Sequence, residues 1–216
     1  MPVPEELARQ YRGRIIFGPF APVHPEEIGA LEADLGQPIP PAYRSFLEVA
    51  NGGALEYSVR VPPGPGGEPI SFCDLYRLGR DEHGEYGWGT LVGEYRQLPH
   101  SWLAEHLPVA TLLPIARTGG EDDTLFLDLA PDRYGQVVGF VSGLPAWTGW
   151  RPHDMAGVLA EDFGAYLDGL FIEPQVAEDV WSDHAHQDPA DPRRRVVEQW
   201  LDDGLAGWRS MAWAAR

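Results

Sequence analysis

The chain has 216 residues, 44% of them hydrophobic, which is enough for one domain with a full core or for a domain with an appendage. Its 33 acidic residues oppose 16 basic residues, all of them arginine, so the formal net charge is −17. This charge repels phosphate backbones and argues against direct nucleic-acid binding, whereas it attracts a basic protein partner or, alternatively, serves only solubility.

The N-terminal quarter of the chain contains two clear helix signals. Residues 5–11 are predicted to form a short helix, and residues 15–17 an extended apolar segment. Three apolar residues at helical spacing, followed by Gly36 where a helix would end, predict a helix over residues 25–35. A second helix is predicted over residues 41–50, because proline suits its first turn.

The middle of the chain has the patterns of strands. Apolar and polar residues alternate over 55–61, which is the period of a half-buried strand. The segment 62–69 is rich in proline and glycine and is predicted to be a loop, and residues 70–100 stay unassigned. An antiparallel meander with one buried face is predicted from three apolar runs separated by turn formers: 112–116, 124–129 and 137–141.

The last third of the chain is predicted to be mostly helical. Residues 154–170 form an apolar stripe at helical spacing, with Asp154 as the N-cap. Residues 173–191 are acidic and contain proline, which indicates a linker or a loosely attached strap. A final helix over 192–208 follows, and it either caps the same core or pairs with another chain.

Together these elements predict an α+β fold with a mostly antiparallel sheet of five or six strands. Helices 25–35, 41–50 and 154–170 are expected to cover one face of that sheet. The predicted organisation is one domain, a linker or strap, and a C-terminal helical extension, over residues 1–172, 173–191 and 192–216.

The cellular location is predicted from one cysteine and the lack of apolar segments. Cys73 is the only cysteine, which excludes an internal disulfide and fits a reducing compartment. The start of the chain does not have the pattern of a signal peptide, and no segment has the apolar length of a membrane span. A cytoplasmic protein is therefore expected.

Three motifs in the same order resemble the SUKH superfamily, whose founding eukaryotic members are fungal Smi/Knr-type cell-wall regulators. The first combines a proline-containing step with Y-x-x-F-L and N-G-G, at Tyr43, Phe46, Leu47, Asn51, Gly52 and Gly53. The second is the strand and turn block over residues 113–141. The third is the sequence DFGAYLDGLF over residues 162–171, which is similar to the closing helix of the family. The resemblance covers residues 24–171.

The residues alone indicate an acidic binding module without evident catalytic machinery, and no cofactor is predicted. The resemblance to the family implies no catalytic set of residues. Bacterial members of the superfamily are largely immunity proteins, which bind and neutralise toxins, often basic nucleases or deaminases. The expected function is therefore neutralisation of a basic toxin by tight binding. Fungal members imply the alternative of an intracellular scaffold or regulatory protein, in which the C-terminal helix recruits partners or drives self-association.

His184 and His186, with Asp183 and Asp188 nearby, are the best candidates for metal ligands, because imidazole and carboxylate bind zinc. A metal-dependent hydrolase centred on this pair is a further alternative. An H-x-H pair directs both rings to the same side only when it lies in a strand, however, whereas the neighbouring prolines indicate a loop. A solvated acidic strap is the alternative, and no metal is predicted. Cys73 lies in an apolar run and is interpreted as a structural thiol.

The predicted partner contacts combine aromatic and acidic residues. Tryptophan is enriched among interface hot spots, and the turn-rich segment 145–150 holds two indoles. The glycine-acid turn 118–123 holds three carboxylates. The residues predicted to contact a protein partner are Trp88, Trp147, Trp150, Glu121, Asp122 and Asp123. Packing of the indoles against the sheet, and simple solvation of the acidic turn, are the alternatives.

Overall fold

The computed structural model describes residues 4–62, 67–80, 87, 89–119, 123–148, 151 and 153–215. Its strands are β1 (Ala8–Tyr11), β2 (Arg14–Phe17), β3 (Val59–Val61), β4 (Glu68–Ile70), β5 (Asp74–Leu75), β6 (Leu112–Arg117), β7 (Thr124–Asp128), β8 (Val137–Val141) and β9 (Met155–Ala160). Its α-helices are α1 (Pro25–Leu35), α2 (Pro41–Val49), α3 (Leu91–Gln97), α4 (Phe163–Asp168), α5 (Pro174–His184) and α6 (Pro192–Gly204). Short 3₁₀ turns lie at Leu98–His100, Trp102–Glu105, Val109–Thr111, Ala146–Thr148 and Trp208–Ser210.

Strands β5 to β9 form one antiparallel sheet, and their order in the sheet is their order in the chain. Leu113 lies opposite Leu127, and Phe126 opposite Val138, so the three predicted apolar runs pair as neighbours. Short connections favour this arrangement, because sequential strands then pair directly. The predicted α+β fold with a mostly antiparallel sheet is confirmed.

The inner face of the sheet belongs to the main hydrophobic core. It carries four fully buried side chains: Leu113, Ile115, Leu125 and Leu127. Helices α1 and α2 confirm the predicted helices 25–35 and 41–50, and both contribute to the same core. Tyr43 and Phe46 of α2 meet Phe163 of α4 with ring centroids 5.0 and 4.9 Å apart. Such pairs contribute about 0.5–1.5 kcal/mol each beyond the burial of area.

The opposite, outer face of the sheet carries Leu112, Phe126, Val138, Phe140 and Val158. Leu98 and Leu103, from the segment of 3₁₀ turns that joins α3 to β6, pack on Leu112, Phe126 and Phe140 in a second buried cluster. Helices thus cover the inner face as predicted, and 3₁₀ turns cover part of the outer face as well. The cover stops before β9, where Val158 is 48% exposed.

The predicted short helix over residues 5–11 is wrong, because residues 8–11 form β1. This strand pairs with β2 as an antiparallel hairpin in which Ala8 lies opposite Phe17. The turn residues Arg12 and Gly13 have φ values of 49° and 70°, the left-handed conformation that two-residue hairpin turns require. Phe17 then exchanges two backbone hydrogen bonds of 2.8 Å with Ala54, which joins the hairpin to the rest of the fold.

The Asn51-Gly52-Gly53 motif has a structural role. The Asn51 side chain is buried; its amide donates to the carbonyl of Pro22 at 2.8 Å, and its oxygen accepts from the backbone N–H of Leu78 at 2.6 Å. Gly53 has a φ of 87°, and a Cβ at this position would lie 2.4 Å from the carbonyl oxygen of Phe17. Only glycine allows the hairpin strand to approach so closely.

The predicted helix over residues 154–170 is wrong in its first half. Met155–Ala160 is strand β9, which pairs with β8, and the helix begins only at Phe163. Asp162 is its N-cap and accepts a hydrogen bond of 2.8 Å from the N–H of Ala165, whereas Asp154 caps no helix. Apolar residues spaced four apart fit either structure, and pairing with a buried neighbour strand decides in favour of β9.

The C-terminal region packs on the same core as the sheet. The predicted linker or strap over residues 173–191 contains helix α5 instead, with Ala177 and Trp181 buried. Asp191 is the N-cap of helix α6, which places Trp200 in the core, 1% exposed. The guanidinium of Arg14 donates to backbone carbonyl groups at the C-terminal ends of both α4 and α6, with bonds of 2.7–3.1 Å. The apolar stripe of α6 is therefore used within the chain.

Candidate protein-interaction surface

The uncovered end of the outer face is bordered by Trp102. Its indole packs edge-on against Phe140 and against the His106 ring, with ring centroids 5.4 and 5.1 Å apart. Trp102 stays partly exposed and, with Val158, leaves apolar surface at this end of the sheet. Aromatic and aliphatic groups that remain in contact with water are suited to bury area against a partner.

A recess of about 330 Å³ lies beside Trp102 on the outer face. Its polar lining includes Glu94, His100 and Arg117. Burial raises the pKa of the Glu94 carboxyl, although a hydrogen bond of 2.7 Å from the N–H of Gly89 and the positive charge of Arg117 favour its ionised form. A recess with acidic and basic side chains at its wall is suited to accept a polar side chain from a partner.

The loop that joins β8 to β9 is fixed at its base by a buried ion-pair network. Arg151 donates to both carboxylate oxygens of Glu68 at 3.0 and 3.1 Å, to Asp123 at 3.4 Å and to the carbonyl of Ser142 at 2.8 Å. Asp123 also accepts two bonds of 2.7 Å from the N–H and hydroxyl of Ser142. Buried charges with partners on several segments hold one geometry, because each partner would cost free energy if left unpaired.

Two further contacts close the same loop. Asp154 accepts a 2.7 Å hydrogen bond from the N–H of Gly143, and its second oxygen lies 3.6 Å from Nδ1 of His106. Leu144 donates to the carbonyl of Arg151 at 2.7 Å. The loop therefore leaves the sheet from a base that is tied to the sheet and to the segment of 3₁₀ turns on the outer face.

Trp147 lies at the far end of this loop, in the 3₁₀ turn Ala146–Thr148. Its side chain is 86% exposed. Thr148 stabilises the turn, because its N–H and its hydroxyl donate to the carbonyl of Pro145 at 2.9 and 2.8 Å. An exposed indole on a loop with a fixed base is the arrangement of a preorganised hot-spot residue.

We expect the substitution Asp123→Ala to lower the free energy of unfolding by about 2 kcal/mol, because Arg151 and Ser142 lose a charged acceptor in a buried position. Urea denaturation of the two proteins measures this difference. Asp132→Ala is the matched control, since Asp132 is exposed and its pair with Arg133 contributes little. Equal losses for the two variants would contradict a structural network around Asp123.

The sequence-predicted contacts divide into three groups in the structure. Trp147 is exposed as an interface residue must be. Asp123 is 3% exposed and belongs to the ion-pair network described above, so it is not retained as a partner contact. It lies next to a hairpin tip, but its pairing with Arg151 buries it. Four predicted contacts lie outside the described residues: Trp88, Trp150, Glu121 and Asp122.

The metal candidates lie at the end of α5. His184 is the last residue of this helix, and its Nδ1 lies 2.9 Å from the carbonyl oxygen of Val180, while His186 is exposed in the following turn. Among the described residues, no group of three or more His, Cys, Asp or Glu side chains is arranged to hold a metal ion. The best-supported role for His184 is a hydrogen bond within its own helix.

Three groups of this surface are not among the contacts predicted from the sequence: Trp102, the His106–Asp154 contact and Arg151. Each depends on a partner that is distant in sequence, such as Phe140 beneath Trp102 or Glu68 beside Arg151. The one local signal was the segment 145–150, in which tryptophans lie among turn-forming residues.

Residues 22–169 match the model of the SMI1 / KNR4 family (SUKH-1). No curated protein and no solved structure matches the chain significantly. Within the described residues, every helix is too short or too polar to cross a membrane. The matched residues include α1, α2, the whole five-stranded sheet and all of α4, and these elements form the core on which the surface is built. The chain belongs to the SMI1 / KNR4 family (SUKH-1).

Proposed function

We propose that this chain is an immunity protein that neutralises a basic toxin domain by binding it through Trp147 and the uncovered end of the outer face. Family membership supports a non-catalytic binding module in general. The observation that carries the finer proposal is the exposed Trp147 on a loop whose base is fixed by a buried ion-pair network. A side chain presented in this way loses little conformational entropy on binding, which favours slow dissociation.

The net charge supports a basic partner. A chain with a net charge of −17 attracts a cationic domain over a distance of about a Debye length, about 8 Å at physiological ionic strength. Electrostatic attraction raises the association rate, while desolvated aromatic contacts determine the dissociation rate. Fast association and slow dissociation are what an inhibitor needs in order to act before the toxin does.

The alternative of a scaffold that recruits partners through its C-terminal helix has less support. The apolar residues of α6 that would form such an interface are buried in the core of their own chain: Val196, Val197, Trp200 and Leu201. A metal-dependent hydrolase centred on His184 and His186 also has less support, since His184 bonds to its own helix. The proposed partner surface is therefore the uncovered end of the outer face together with the loop that carries Trp147.

Growth of bacteria tests the proposal. The expected partner is a basic C-terminal toxin domain of a secreted protein encoded beside the gene for this chain. We expect the toxin domain alone to arrest growth, and its co-expression with this chain to restore growth. Trp147→Glu should restore growth poorly, and Tyr134→Ala should restore it fully. Continued arrest in the presence of the wild-type chain would contradict the proposal.

Ionic strength separates a steered toxin complex from a scaffold interaction. Association with a basic toxin should slow steeply as salt rises from 50 to 500 mM in stopped-flow measurements, because salt screens the attraction between the two proteins, with a Debye length of about 10 Å at 0.1 M. Apolar pairing of helices should change little over the same range. A salt-independent rate would favour the scaffold alternative.

A further inference from the structure

A groove of about 510 Å³ lies between α5, α6 and the N-terminal hairpin, on a different part of the molecule from Trp147. We call it the α5–α6 groove; its walls include Phe17, Glu56, Val176, Val180, Val196 and Trp200. Of the described residues that line it, only Glu56 lies within residues 22–169, the part that matches the family. The groove is thus a feature that the N- and C-terminal segments of this chain add to the family core.

The lining is mostly apolar. Four valines on α5 and α6 and the rings of Phe17 and Trp200 supply it, and the two rings meet edge-to-face with centroids 6.3 Å apart. The volume falls within the range of small-molecule sites, about 300–1,000 Å³. Val176 at the lip is exposed, so an apolar ligand would cover surface that now contacts water.

Glu56 gives the groove a specific polar group. Its backbone carbonyl accepts a hydrogen bond of 2.8 Å from the Trp200 indole, which places the residue against the aromatic wall. Among the described residues, the Glu56 carboxylate has no hydrogen-bond or ion-pair partner. Partial burial raises the pKa of the Glu56 carboxyl, and the negative charge of Asp74 raises it further. The carboxylate of this exposed residue therefore presents a negative charge at the groove, with which a cationic ligand would pair.

The other polar groups of the groove are compatible with a cationic ligand. The position of His184 Nδ1, 2.9 Å from the carbonyl of Val180, favours the tautomer that donates from this nitrogen and leaves Nε2 as an acceptor. Arg193 also lines the groove, at the exposed N-terminal end of α6, where its long side chain can keep the guanidinium in water. An aliphatic chain with one ammonium group would match the valine walls, the carboxylate and the aromatic rings together.

We propose that the α5–α6 groove binds a small amphiphilic amine in its protonated form, with the ammonium group at the Glu56 carboxylate and the aliphatic chain between α5 and α6. This site is independent of the proposed toxin surface, and the failure of either proposal leaves the other intact.

The test compares octylammonium chloride with sodium octanoate, which have the same apolar chain and opposite charges. Both are titrated into the ¹⁵N-labelled full chain at pH 8, where the Glu56 carboxyl is ionised. We expect the backbone amides of Val180 and Val197 to shift saturably with octylammonium, and the affinity for octylammonium to exceed that for octanoate at least tenfold. Equal affinity for the two probes, shifts confined to other residues, or no saturable shift would overturn the proposal.

Two variants and one control assign the binding to this groove. Glu56→Gln should weaken octylammonium binding at least fivefold, and Val176→Arg at the exposed lip should do the same by adding a positive charge and filling space. Glu178→Gln is the control, because it makes the same chemical change as Glu56→Gln on the helix that carries Val176, while Glu178 lines a different recess. If both groove variants bind octylammonium as tightly as the wild-type chain does, the proposal is overturned, even when the wild-type chain binds octylammonium saturably.

Discussion

The substitution Trp147→Ala should weaken the proposed complex with a basic toxin domain at least 30-fold, about 2 kcal/mol, while leaving the stability of the free chain unchanged. The side chain is 86% exposed in the free chain, so its removal costs no core packing. In the complex, the same indole is expected to be desolvated in a pocket of the partner. Isothermal titration calorimetry measures the affinity, and urea denaturation measures the stability.

Tyr134→Ala is the matched control for this prediction. Tyr134 is another exposed aromatic residue, but it precedes β8, whereas the loop that carries Trp147 follows β8. The two residues therefore mark opposite ends of the same strand. We expect the control to bind within about threefold of wild type, as most interface-distant substitutions do. A Trp147→Ala complex as tight as the wild-type complex would remove Trp147 from the interface.

The substitution Trp200→Ala should lower the free energy of unfolding by about 3–5 kcal/mol, the usual cost of truncating a large buried aromatic residue. Trp200 is 1% exposed, packs on Phe17 and Tyr57 with ring centroids 6.3 Å away, and donates a hydrogen bond to the carbonyl of Glu56. These contacts join α6 to the hairpin and to the chain before β3. The loss should appear as one cooperative transition at lower urea concentration.

Trp147→Ala also serves as the control for Trp200→Ala, since it removes the same side chain from an exposed position and should change stability by less than about 0.5 kcal/mol. A loss below about 1 kcal/mol for Trp200→Ala, or a separate early transition, would mean that the extension folds apart from the core. It would then behave as the appendage that the sequence suggested.

The predicted elements succeeded where local signals agree. Helix α1 has its apolar spacing, proline in its first turn and Gly36 at its end with a φ of 68°, and α2 has the same kind of proline start. The strands β6 to β8 have turn formers on both sides. Each of these signals acts within a few residues, so the sequence alone predicts the element.

The failures have a common physical cause, which is competition from contacts distant in sequence. Met155–Ala160 has helical apolar spacing, but it pairs along the whole length of β8. Residues 8–11 are compatible with a helix, but the Arg12-Gly13 turn folds them back onto β2. Tertiary pairing outweighs local propensity in such cases, because propensity differences are a few tenths of a kcal/mol per residue, about 0–0.7 kcal/mol for ordinary residues.

The candidate surface shows the same limit. Exposure of Trp147 agrees with its position among turn formers, whereas burial of Asp123 depends on Arg151, which is 28 residues away in the chain. The outer face is uncovered at one end because the segment of 3₁₀ turns stops before β9. No short sequence motif indicates where that segment stops. The sequence therefore indicated one exposed residue of the surface, Trp147, but not the ion-pair network around Arg151 that fixes the base of its loop.

The central claim is that this chain acts by stoichiometric binding to a basic toxin domain. The most direct measurement is the activity of the purified toxin domain titrated with this chain at concentrations well above the dissociation constant. The account predicts a linear fall to zero activity at one chain per toxin, with Trp147→Ala shifting the curve to higher concentrations. Full activity at a molar excess of the wild-type chain, or complete inactivation by a small fraction of an equivalent, would contradict it.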